Sequence, residues 1–140
     1  MIALIVVNDT GEHVGLIPLG DSPGRTIRTI ADKLANCVPF VTVERTYAHA
    51  GGKMGSSAAH SLGKSEGQIL GALDALNIPY ESVRPQEWKA SVLAGTDKSK
   101  DAAVAFVRRR YPRAKIFLPK GKPNFDAAEA VCMAEFARRK

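Results

Sequence analysis

The chain has 140 residues, 15.0 kDa, 45% hydrophobic and 24% charged side chains, which fits one folded domain, since single domains commonly run to about 100–150 residues. These values exclude a disordered or fibrous protein, and no apolar run approaches the roughly 18–20 residues of a membrane span. The net charge of +6 is unevenly placed: residues 1–100 carry ten basic and ten acidic side chains, whereas residues 101–140 carry ten basic and four acidic.

Ile2 to Val7 is a β-branched apolar run with neither a basic leader nor a cleavage site, so a cytoplasmic location is expected. The polar turn Asn8-Asp9-Thr10-Gly11 joins it to a second apolar run, His13 to Leu19, and the pair reads as a β-hairpin. From Thr26 to Cys37, Ile27, Ile30, Ala31 and Leu34 recur at helical spacing after a turn marked by Pro23 and Gly24. Beyond Pro39, Phe40 to Val43 reads as a buried strand ending at Glu44 and Arg45.

Residues 48–66, rich in glycine, serine and alanine, read as a mobile loop entering a helix that carries Ile69, Leu70, Leu73 and Leu76 and stops before Pro79. Tyr80 to Arg84 is the next strand. Pro85 opens a helix through Trp88 and Val92, because proline suits a first turn. Asp97 to Tyr111 is predicted helical, with Val104, Val107 and Tyr111 on one face. A basic loop, 113–123, leads to Asn124, a good N-cap for a final helix directing Ala128, Val131, Cys132 and Phe136 to a core. A hairpin followed by alternating strands and helices predicts a single α/β domain, 1–140, with helices flanking a mixed sheet.

Cys37 and Cys132 are far apart and show no ligand spacing, so both are expected to be reduced and buried. Trp88 can serve the core or stack on an unpaired base; its helical spacing favours the core. The glycines at 51–57 lack the Gly-Lys-Ser/Thr ending of a phosphate-binding loop, which argues against a nucleotide cofactor. His13, His49 and His60 have no metal-ligand spacing, although His49 and His60 can reach DNA beside Glu44.

Three carboxylates stand out. Glu44 closes a strand, where α/β proteins place functional side chains, although taken alone a strand-end Glu is better explained by pairing with a lysine or arginine such as Arg45. Asp126 and Glu129, three apart, share one face of the last helix, where a helix N-terminus also tolerates structural acids. A basic loop, Lys115 to Lys122, runs directly into this pair. Carboxylates amid lysines suit a site that holds divalent cations against a phosphodiester, and the cationic last third suits a nucleic-acid backbone.

Glu44 after its strand, Gly63-Lys64-Ser65-Glu66-Gly67 through Gly71, Val83-Arg84-Pro85-Gln86-Glu87-Trp88-Lys89, Asp97-Lys98 and Asp126-Ala127-Ala128-Glu129-Ala130 together resemble the RuvC-type Holliday junction resolvases, particularly phage-like ones, in order along nearly the whole chain. The resemblance implies a ribonuclease H-like fold, whose first strand is either missing from this chain or formed by Ile2–Val7. It also implies a homodimer and Mg2+- or Mn2+-dependent nicking of four-way DNA junctions in recombination and repair. Glu44, Asp126 and Glu129 would then be catalytic and hold two cations per site, and Lys53, Lys64, Lys89, Lys98, Lys120 and Lys122 would contact DNA. The small residues of the helix from Gly67 to Leu76 suit either a dimer interface or intrachain packing.

The family's first strand normally bears an aspartate in an Asp-Pro-Gly-like context. Here either Ile2–Val7 and His13–Leu19 stand for the second and third strands, or Ile2–Val7 is the first and Asp9 its aspartate. Asn-Asp-Thr-Gly is ordinary turn chemistry, which favours the former. A chain with an incomplete metal site would be a non-catalytic dimeric DNA-binding protein of the same fold.

Overall fold

The structure, a computed structural model, describes residues 1–9, 11–45 and 55–140. Its elements run β1 (Ile2–Asn8), β2 (Gly11–Ile17), α1 (Pro23–Lys33), β3 (Val41–Glu44), α2 (Ser56–Ala75), β4 (Tyr80–Val83), α3 (Pro85–Val92), α4 (Lys100–Arg110) and α5 (Phe125–Arg138). They fall into two compact units, the first Met1–Pro18 with Pro85–Lys140 and the second Leu19–Arg84.

In the first unit β1 and β2 form the expected antiparallel hairpin, in register from Ile2 opposite Ile17 to Asn8 opposite Gly11. Gly11 takes φ 121°, a conformation open to glycine and strained for other residues. Helix α5 packs on β1, α3 and α4, and its inward face carries Ala127, Ala128, Val131 and Cys132, all 1% exposed or less. Small residues at these positions let neighbouring elements approach closely, while Trp88, Leu93 and Val107 fill the remaining space. Trp88 is fully buried, so it belongs to the core and cannot stack on a base.

Two caps start the helices of this unit. Asn124 Oδ1 accepts from the Ala127 amide at 3.1 Å, as expected of an N-cap. For α4 the start lies later than the expected Asp97: Ser99 is the cap, its hydroxyl accepting from the Ala102 amide at 3.1 Å. Asp97 stands outside the helix and accepts from both the amide and the hydroxyl of Ser99, at 3.0 and 2.7 Å. An acidic residue two positions before a serine thus orients the cap instead of opening the helix.

In the second unit β3 and β4 pair in parallel, from Val41 opposite Tyr80 to Glu44 opposite Val83, and α2 is the crossover between them, as a parallel pair requires. Helix α1 packs on α2. It spans Pro23–Lys33 rather than Thr26–Cys37: Pro23 supplies a first-turn residue that needs no amide partner, and a Cβ on Gly24 would lie at van der Waals distance, 3.7 Å, from Ala72 Cβ.

The glycine- and serine-rich stretch departs most from expectation. Residues 56–66 belong to α2 and are not a loop. Most of this half of the helix is exposed, so it has no apolar stripe to reveal it. Extending a helix already nucleated over Ile69 to Leu76 costs little per residue even through a glycine. The other departure is Cys37, which is exposed, while Cys132 is buried as expected. Burial, with the charges of Glu129 and Glu135 nearby, pushes the Cys132 thiol up to about 12 against the opposing pull of Arg139 and Lys89. A thiol reagent is therefore expected to label one cysteine in the native protein, Cys37, and both after denaturation. Peptide mapping of Cys132 in the labelled native protein would contradict this packing.

Candidate functional site

The first turn of α5 presents the two helix-borne carboxylates. Asp126 is exposed beside the helix N-terminus, where free amides favour an anion. Glu129 follows one turn later and is part-buried, its side chain 20% exposed. Its Oε1 lies 2.9 Å from Lys89 Nζ, and the same ammonium sits 5.1 Å from the centroid of the Trp88 ring. The buried tryptophan thus forms a shelf that steers Lys89 from α3 onto α5. This cation offsets the repulsion between the two carboxylates, and Lys89, expected on phosphate, is committed to Glu129.

Glu44, the third carboxylate, belongs to the second unit. It ends β3 opposite Val83 and is half-buried. The parallel pairing runs one step past it, the Arg45 amide donating to the Val83 carbonyl at 2.8 Å. The Arg45 guanidinium reaches the Ser82 carbonyl at 3.5 Å. Glu44 therefore stands at the carboxyl end of its strand, as the sequence predicts. Among the described residues, no group of three His, Cys, Asp or Glu side chains is placed to hold a metal ion.

Asp9 lies in the β1–β2 turn and is exposed, the position hairpin chemistry predicts. Thr10, His49 and Lys53 lie outside the described residues, while His13 and His60 are exposed on β2 and α2.

The cations expected on phosphate divide between the units. Lys64 is exposed on α2 in the second. In the first, Lys98, Lys120 and Lys122 are exposed, as are Arg108, Arg109, Arg113, Lys100 and Lys115. Between Asp101 and Asp126 the chain has no carboxylate and seven Lys or Arg residues.

A buried ionic centre was not anticipated. Glu135 on α5 is 2% exposed and accepts from Tyr111 Oη at 2.6 Å, from Arg138 at 2.6 and 2.9 Å and from Arg139 Nε at 2.9 Å. Burial pushes its carboxyl up, but the hydrogen bonds from Arg138, Tyr111 and Arg139 outweigh burial and hold it at about 2. Arg138 and Arg110 also reach Glu12 on β2, at 3.6 and 2.6 Å, so the network ties α4, α5 and the hairpin together. Its bonds brace the helix that carries Asp126 and Glu129. The only hint in the sequence was an acidic residue falling on the apolar face of the last helix.

No protein-family profile matches the chain, and no curated protein sequence matches it. Among the described residues, no helix is long and apolar enough to cross a membrane. Among solved structures it is similar to the Thermus thermophilus RuvC structure, with a TM-score of 0.54 and 18% identity over 98% of this chain and 87% of that one. At this identity the likeness is one of fold, an α/β, ribonuclease H-like one as expected, although among the described residues the strands pair as two two-stranded sheets, one antiparallel and one parallel, where the sequence predicts a single mixed sheet.

Proposed function

We propose that the chain is a structure-specific endodeoxyribonuclease that nicks branched DNA such as four-way junctions, acting as a homodimer in recombination or repair. The observation that carries the reading is the carboxylate pair Asp126 and Glu129 at the start of α5, reached from a chain segment that is cationic throughout, on a fold shared with a RuvC structure. Glu44, at the carboxyl end of β3, is the third catalytic group of the proposal.

The donor set consists of carboxylate oxygens, the chemistry that suits a hard cation, and Glu129 already takes a positive partner in Lys89. Two Mg2+ or Mn2+ ions per site would supply an activated water and relieve charge on the scissile phosphate. The chain's own contributions are separate from this. Asp126 offers an exposed acceptor held at a helix N-terminus, and Lys89 would contact a phosphate oxygen only by giving up Glu129. Lys64, Lys98, Lys120 and Lys122, with Lys53, would position the backbone of the substrate without reading its sequence.

The test is incubation with a labelled four-way junction and with duplex of matched sequence, in Mg2+, Mn2+ or chelator. Metal-dependent paired nicks in the junction, and not in the duplex, are expected. Comparable cutting of duplex or of an RNA–DNA hybrid would point to a different nuclease of this fold. The position of Asp9 in the exposed β1–β2 turn favours a second reading, a dimeric DNA-binding protein whose metal site lacks the family's first-strand aspartate. Tight junction binding without cleavage in any metal would establish that reading.

A further inference from the structure

Residues 116–124 form a small hairpin, with Phe117 and Leu118 on the strand that enters its turn and Lys120 in the turn itself, in a segment whose other charges are all cationic. Its base is closed by the Asn124 amide donating to the Ile116 carbonyl at 2.8 Å. Phe117 and Pro123 bridge in antiparallel sense. Near the tip the Leu118 amide donates to Lys122 and the Gly121 amide to Leu118, both at 2.9 Å. Pro119 enters the turn and Gly121, at φ 74°, leaves it, residues that suit these places because one has a fixed φ and the other tolerates a left-handed one. Ile116, 1% exposed, anchors the base, and Asn124 is itself the cap of α5. The hairpin is thus framed at both ends and continuous with the helix that bears Asp126.

Phe117 and Leu118 nevertheless project from it, 45% and 48% exposed. A single exposed apolar residue needs no explanation, but two adjacent ones on a braced turn each leave nearly half of their surface open to water. The Arg108 guanidinium lies 5.8 Å from the Phe117 ring centroid, and Lys115, Lys120 and Lys122 of the same segment are exposed.

We infer that this hairpin is a base-contacting wedge: Phe117 and Leu118 pack against an unpaired or opened base at a DNA branch point, while Arg108, Lys120 and Lys122 hold the flanking phosphates. The inference rests on the branched-DNA reading and deepens it. Aromatic and apolar side chains stack on bases without regard to sequence, and wedges of this kind enter DNA where base steps are already opened. A second copy of the chain is a poor occupant, since it would press two cationic segments together. A membrane surface is a poor one as well, because two side chains are a small apolar area beside that of an interfacial helix.

The test uses a four-way junction and a matched duplex, each with 2-aminopurine near the centre, in chelator so that nothing is cut. The wild-type chain is compared with the double variant F117A/L118A, with F117Y and with K120Q/K122Q, all checked for native circular dichroism. Wild type is expected to bind the junction preferentially and to raise its 2-aminopurine fluorescence. F117A/L118A should lose that rise and about fivefold or more of junction affinity with duplex affinity unchanged, and F117Y should restore both. K120Q/K122Q should weaken junction and duplex alike, with a shallower salt dependence. Junction binding and fluorescence unaltered in F117A/L118A would overturn the wedge alone. A wild-type chain that does not distinguish junction from duplex would overturn the wedge and the branched-DNA reading together. Binding to phosphatidylserine vesicles that is lost in F117A/L118A, with DNA binding unaffected, would replace the wedge with a membrane contact.

Discussion

Glu44→Gln is expected to lower junction cleavage by at least about a hundredfold, the scale on which removal of one group from an electrostatic site is felt, while junction affinity in chelator stays within about threefold. The substitution keeps the size of a side chain that is half-buried at the end of β3 and removes its charge, and the retained affinity in chelator separates lost chemistry from a folding defect. Asp126→Asn should behave in the same way, because Asp126 is exposed and makes no packing contribution to α5. The two readouts separate the readings. Wild-type cleavage that survives both substitutions would remove these carboxylates from the chemistry. Binding that weakens in step with cleavage would make them DNA contacts instead, an improbable role for an anion facing phosphate. Glu129 is less suited to this test, since its replacement also frees Lys89 and adds a cation to the surface.

The second large effect concerns stability. Glu135→Ala is expected to destabilise the fold by about 3 kcal/mol, at the low end of what breaking a buried ion pair costs, because Arg138 and Arg139 are 35% and 39% exposed and can turn to water. The Tyr111 hydroxyl cannot, and loses the acceptor it has in a buried site. A fall in Tm on the order of 10 °C is the expected measurement. The same carboxylate should govern acid unfolding. Its folded-state value, about 2, lies below the ordinary 4.5, so its contribution is present above pH 4.5 and is lost as pH falls towards 2. The shift is worth about 3 kcal/mol at most by linkage. Tyr111 works at the other end. Burial, then the hydrogen bond and charge of Glu135, raise its phenol from 10.0 to about 12, so stability present below pH 10 is lost as pH rises towards 12. Wild-type urea unfolding measured from pH 2 to 5 should show the acid slope and Glu135→Ala should lack it; parallel slopes would show that Glu135 carries no such charge in the folded chain.

Local pattern sufficed where one short-range cause dominates. The β1–β2 hairpin follows from two β-branched runs around Asn-Asp-Thr-Gly, the α5 cap from Asn124, and the burial of Trp88 from its place on a short amphipathic helix. These features depend on residues within a few positions of one another. The pattern failed where structure is inherited from a neighbour: residues 56–66 are helical because they extend α2, and Asp97 is excluded from α4 because Ser99 captures the cap.

Composition and order along the chain determined the fold class, the strand-end position of Glu44, the pairing of Asp126 with Glu129 on one helical face and the cationic last third. Only the tertiary structure decided which charges are already spent. Lys89 is drawn to Glu129 by the packing of α3 on α5. Glu135, an unremarkable acid in the sequence, becomes the centre of a buried network because Tyr111, Arg138 and Arg139 converge on it. Phe117 and Leu118, two apolar residues within the basic loop, are left nearly half exposed on a braced turn. The physical reason is common to all three: burial and ion pairing depend on distances between segments remote in sequence, and those distances exist only once the chain has folded.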